Sequence, residues 1–167
     1  MINSAASMPL IGATSPRVLL YLPNHPVTTQ DFNPLSPNIP QLIEDNGNHW
    51  RKILTILAKL SCHQSDWKRY RDEQLLQRDE CICFDDTLCF NNELSLGTGL
   101  AQSPDEQWHL VAGKASWQRL GLDVTEFTAL DEQCKVFYRD RIILIPYPDY
   151  RQMPNALIEA VVGLMGR

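Results

Sequence analysis

The chain has 167 residues and a mass of 19.1 kDa, the size of one domain of about 100–150 residues with a short excess. Hydrophobic residues make up 44% of it, enough for a core, and no apolar run is long enough to cross a bilayer, so neither disorder nor membrane insertion is expected. Fifteen Lys and Arg against twenty Asp and Glu leave a net charge of −5, which argues against a protein that wraps a nucleic-acid backbone but leaves room for a small basic pocket.

The N-terminal segment has no Lys or Arg before Arg17, and Pro9, Gly12 and Pro16 break its apolar residues, so no secretion signal is read and a cytoplasmic protein is expected. Seven prolines (Pro9, Pro16, Pro23, Pro26, Pro34, Pro37 and Pro40) precede residue 41. Residues 1–16 are therefore expected to be a loosely held tail, 17–167 a single domain, and 23–40 an extended loop in which helices cannot run. Between them, Arg17-Val18-Leu19-Leu20-Tyr21-Leu22 is a continuous apolar run, the pattern of a strand covered on both faces in a parallel sheet.

Trp50, Ile53, Leu54, Leu57 and Leu60 keep the 3–4 spacing of one helical stripe, with Asn46 or Asn48 as cap. A second helix opens at Ser65 and runs to about Gln77, with Trp67 and Tyr70 facing inward. Cys81-Ile82-Cys83-Phe84 reads as a buried strand rather than half of a thiolate metal site, because no second pair stands at zinc-ligand spacing. With Cys62, Cys89 and Cys134 the cysteines number five, which fits reduced thiols, and no metal, disulfide or cofactor is expected. Asp85-Asp86, the short run Leu88-Cys89-Phe90 and a loop with Gly97-Thr98-Gly99 and Ser103-Pro104 follow.

Trp108-His109-Leu110-Val111-Ala112 is another buried run, turning at Gly113 into a helix over 114–120 that stops at Gly121. Thr128 and Asp131 are spaced like a capping box and predict a short helix near 130–135. Arg141-Ile142-Ile143-Leu144-Ile145 is the strongest strand signal, and a helix over 155–165 closes the chain. Strands alternate with helices, so the expected fold is an α/β domain of three layers with a mostly parallel central sheet.

Open parallel sheets bind ligands beyond the carboxyl ends of their strands. Those ends carry Pro23-Asn24-His25-Pro26, Asp85-Asp86, Gly113-Lys114, and the proline-stiffened stretch from Pro146 to Pro154. The candidate ligand-binding residues are accordingly Asn24, His25, Asp85, Lys114, Tyr147, Asp149, Tyr150 and Arg151. Each has a plainer reading. His25 is a general acid or a surface loop histidine, and Asp85-Asp86 holds water or simply makes a turn. Gly113-Lys114 is no P-loop, since Trp108 and Ala115 stand where Gly and Ser or Thr are required. Tyr147 and Tyr150 offer stacking faces and Arg151 a planar fork for an anion, or else Arg151 pairs with Asp149 in a stiff crossover. No G-x-S-x-G, H-E-x-x-H or G-x-G-x-x-G motif occurs.

In layout, residues 19–26, 110–120 and 142–154 resemble the uracil-DNA glycosylase superfamily: a first strand ending in a proline-rich loop, a middle strand entering a helix through glycine, and a late strand ending in a loop that enters DNA. The first loop reads Leu22-Pro23-Asn24-His25-Pro26 where that family has Gly-Gln-Asp-Pro or Gly-Glu-x-Pro, and the late loop has Pro146-Tyr147-Pro148 in place of His-Pro-Ser. The resemblance thus implies the fold and the place of a site, without the water-activating acid or the leaving-group histidine. The chain also resembles short uncharacterised proteins of marine gammaproteobacteria, which implies no activity. Two functions are expected from these readings: a module that binds a small planar or anionic, nucleobase- or nucleotide-like ligand, or a hydrolase of a nucleobase or nucleoside derivative. In the second, Asp85 or Asp149 would position water and His25 would protonate the leaving group.

Overall fold

The computed structural model describes residues 10–62, 65–85, 88 and 107–166. Asp86, Cys89 and Phe90 and the loop at 97–104, all singled out in the sequence, lie outside the described residues. The four apolar runs form β2 (Val18–Tyr21), β3 (Glu80–Cys83), β4 (Trp108–Ala112) and β7 (Ile142–Ile145), which are parallel neighbours with their carboxyl ends on one side. Three shorter strands extend them: β1 (Leu10–Gly12) antiparallel to β3, β6 (Phe137–Arg139) antiparallel to β7, and β5 (Thr128–Ala129) antiparallel to β6. The seven strands make one sheet in the order β1-β3-β2-β4-β7-β6-β5.

This sheet is mixed, which corrects the mostly parallel expectation. The reason lies in two reversals. Where a capping box was read, Thr128 belongs to β5, and Asp131 Oδ1 accepts the backbone N–H groups of Lys135 and Val136 at 2.8 Å each. The carboxylate therefore closes a turn instead of starting a helix. The second reversal is a tight hairpin at Asp140 and Arg141, where Asp140 takes φ 54°. At the other edge, residues 10–12 of the expected tail are recruited as β1, and Gly12 N–H donates to Pro34 O at 2.7 Å.

Helices are α1 (Ile39–Asn46), α2 (Asn48–Ser61), α3 (Trp67–Glu73), α4 (Lys114–Arg119) and α5 (Asn155–Leu164). Helix α1 starts inside the stretch expected to exclude helices. Asn38 caps it by accepting the Gln41 N–H, and Pro40 sits in the first turn, where its missing donor has no helical partner to lose. Neither Asn46 nor Asn48 caps α2. Gly47, at φ 77°, takes that position, while the Asn46 side chain ties Val27 N–H, Val27 O and Leu42 O.

Strand side chains alternate between two faces. Val18, Leu20, Ile82, Leu110, Ala112, Ile143 and Ile145 join one core cluster with α1, α2 and α5. Leu19, Tyr21, Cys81, Cys83, Val111 and Leu144 join the other with Trp117 of α4, bordered by Leu120, Leu122, Val124 and Phe127. Among the described residues, the second face thus carries one short helix and an irregular stretch rather than a helical layer matching the first. Cys81 and Cys83 are buried on that face, with sulfurs 4.0 Å apart.

Two buried polar groups tune stability. Glu80, at the start of β3, accepts the Tyr70 hydroxyl and, at 2.9 Å, the Leu76 N–H, fastening the end of α3 to the sheet; burial holds its carboxyl above the usual range. His109 is 1% exposed, its Nδ1 is 2.7 Å from Tyr21 Oη, and burial, assisted by Arg141, pushes its pKa down to about 4. The unfolded imidazole titrates near 6.5. Between those values the unfolded chain binds the extra proton, so the His109 contribution is lost as pH falls from about 6.5 to about 4, on the order of 3 kcal/mol in full. Glu80 acts in the opposite sense, since a raised folded-state carboxyl loses stability as pH rises. A His109→Gln variant isolates the first effect: in urea titrations it should lose less stability than the parent over this window, and parallel pH curves would contradict the assignment.

Candidate functional site

The chain leaves β7 toward the face covered by α1, α2 and α5, and leaves β4 toward the face covered by α4. Because β4 and β7 are parallel neighbours, their chains part at the carboxyl ends, the kind of switch point at which doubly covered sheets open a crevice. Gly113 makes the exit from β4 at φ 87°, a conformation that favours glycine, and its N–H still donates to Ile145 O at 2.8 Å. A Cβ there would stand 3.5 Å from the Tyr147 ring, so the loop after β7 packs directly on this turn.

Tyr147 is the hub. Its hydroxyl donates to Asn24 Oδ1 at 2.8 Å and lies 2.9 Å from His49 Nε2, and the imidazole of His49 stacks on the phenol with centroids 5.6 Å apart. Burial raises the phenol pKa, against the Asn24 bond. The loops after β2 and β7 and the first turn of α2 are thereby tied by one side chain. With its hydroxyl engaged in this way, the ring lines a cleft of about 650 Å³ formed with Gly113, Lys114 and Trp117, the turn at Gln133, Cys134 and Lys135, and Arg151. A volume of this order suits a small organic ligand.

Three cations, Lys114, Lys135 and Arg151, line the cleft from three separate segments, and no Asp or Glu lines it. All three are exposed, and among the described residues none of their side chains is in an ion pair. Asp149 feels the Arg151 charge but forms no close ion pair with it. Its Oδ1 accepts the Arg151 backbone N–H at 2.8 Å, the main cause of its lowered pKa, and its Oδ2 lies 3.6 Å from Lys52 Nζ. The Asp149–Arg151 clasp considered from the sequence is replaced by a backbone turn and a different ion pair.

Of the sequence candidates, Lys114, Tyr147 and Arg151 share the cleft and Asn24 braces its wall. The others do not line it. His25 stacks on Phe84 with centroids 4.2 Å apart; Asp85 is exposed and offers its backbone carbonyl to Arg119; Tyr150 is exposed under Lys52 and borders a different depression beside Trp67 and Met153. Among the described residues, no group of three or more His, Cys, Asp and Glu side chains could hold a metal ion. Lys135, Cys134 and His49 were missed. Lys135 and Cys134 were assigned to a helix that does not form, and His49 carries no local signal because only the fold brings residue 49 to residue 147.

Arg119 supports the site from α4. Its guanidinium donates to Leu22 O at 3.3 Å, Phe84 O at 3.3 Å and Asp85 O at 2.8 Å, holding the ends of β2 and β3 together. Arg119→Met should cost about 2 kcal/mol in chemical unfolding, the loss of charge-assisted bonds to carbonyls left partly buried. A change below about 0.5 kcal/mol would show that these bonds merely replace solvent, as surface contacts do.

Fold and cleft together define a mixed-sheet α/β domain with a cationic cleft at the carboxyl ends of its parallel strands. A family model matches residues 9–166, and the chain belongs to that family, the family of unknown function DUF6942. No curated protein and no solved structure matches the chain. Neither the family match nor any solved structure supports the resemblance to the uracil-DNA glycosylases. No helix among the described residues is long and apolar enough to cross a membrane.

Proposed function

We propose that the protein is a binding module for a small anionic ligand, seated in the cleft between α4, the 133–135 turn and the loop after β7. The observation that carries this reading is the convergence of Lys114, Lys135 and Arg151, with no acid in the lining, on a chain whose net charge is −5. Three cations along one cleft, with no acid among the lining residues, favour a negative charge there. Tyr147 adds a ring along one wall, suited to a planar group.

The hydrolase alternative has less support. Asp85, Asp149 and His25 do not line the cleft, and Asp149 is engaged by Lys52 and the Arg151 backbone. Glycosylase-type chemistry is not part of the proposal, since the loop residues that would carry it are replaced by Asn24, His25 and Tyr147.

Thermal melts with and without a panel of nucleotides and organic anions test this reading. Arg151→Ala should change the stability of the free protein by less than about 1 kcal/mol, because its charge is solvated. The same substitution should weaken binding of a stabilising anion by about 1.5–3 kcal/mol. A large loss of stability with no change in ligand response would make Arg151 a structural residue and remove the proposal.

A further inference from the structure

Resting on the reading of the cleft as an anion site, we infer that its ligand carries at least two negative charges at one end, as a phosphate monoester does, and that Lys135 is the residue that sets this charge requirement. Lys114 follows the glycine exit of β4, Lys135 follows the turn closed by Asp131, and Arg151 follows the turn closed by Asp149. In the last two cases an aspartate accepts the cation's own backbone N–H, at 2.8 Å. Each of these carboxylates fixes the place of the cation's backbone, and neither forms an ion pair with that cation's side chain among the described residues.

A single negative charge would leave a surplus of two cations in the cleft. A dianionic phosphate brings three peripheral oxygens to three donors, one of them the planar fork of arginine, which suits phosphate geometry. Lys114 and Arg151 alone would satisfy a carboxylate, so the third cation distinguishes the two ligand classes. Tyr147 and the Trp117 side of the cleft then border the organic part of the ester.

The test uses three small probes of one scaffold, phenyl phosphate, benzoate and phenol, followed through the backbone amide signals of the full chain by NMR titration. Phenyl phosphate should shift the amides of residues 114, 135 and 151 and bind about tenfold more tightly than benzoate at neutral pH, with phenol weaker still. Lowering pH from about 7.5 to about 5.5 protonates the ester, whose second ionisation lies near 6, and should weaken phenyl phosphate while leaving benzoate nearly unchanged. Lys135→Gln should erase most of the preference for phenyl phosphate without lowering the melting temperature, because the Asp131 bond to its backbone remains. Equal affinity for benzoate and phenyl phosphate would overturn the charge requirement while leaving the anion site standing. If no anion moves these amides, the site itself is overturned.

Discussion

The opposite exits of β4 and β7 are the constraint on which the cleft turns. Side by side and parallel, these strands send their chains to different faces of the sheet, β4 into α4 and β7 toward α5. The cleft lies at that opening, and the turn at 133–135 between β5 and β6 completes its lining. Gly113 bends away without a side chain, Tyr147 packs against it and reaches Asn24 and His49, and Arg119 reaches from α4 to the carbonyls after β2 and β3. Lys114 follows a strand end directly, whereas Lys135 and Arg151 sit in turns whose backbones Asp131 and Asp149 fasten.

The parallel core was legible because its signal is strong and local. Strands buried on both faces need unbroken apolar runs, and Val18 to Tyr21, Cys81 to Cys83, Leu110 to Ala112 and Ile143 to Ile145 supply them. What escaped was decided by small differences in turn chemistry. Asp131 satisfies the spacing of a helix cap and of a turn equally well, and pairing of Thr128 and Ala129 with β6 settles the choice in favour of the turn. Pro40 looked like a helix breaker, although in the first turn of α1 it is compatible with the helix, given Asn38 as cap.

The candidate site was half legible for a related reason. Strand-end logic finds residues that immediately follow a strand, and it located Asn24, Lys114, Tyr147 and Arg151. It also gathered His25, Asp85, Asp149 and Tyr150, which share the same end of the sheet but do not line the cleft. It could not find His49 in the first turn of α2, nor Lys135 in a reversal misread as helix. Sequence position gives the rim of such a crevice; side-chain direction gives the lining.

Asp131 and Asp149 stand near two of the cations in that lining, yet the bonds each makes are to backbone amides, and the close ion pair of Asp149 is with Lys52. The most direct measurement is a crystal structure determined in the presence of tungstate, a heavy dianionic oxyanion whose anomalous signal locates it without ambiguity. An anomalous peak within hydrogen-bonding reach of the Lys114 and Lys135 ammonium groups and the Arg151 guanidinium is expected. A cleft without such a peak, with tungstate bound only at other surface cations, would contradict the assignment of these three residues to one anion site.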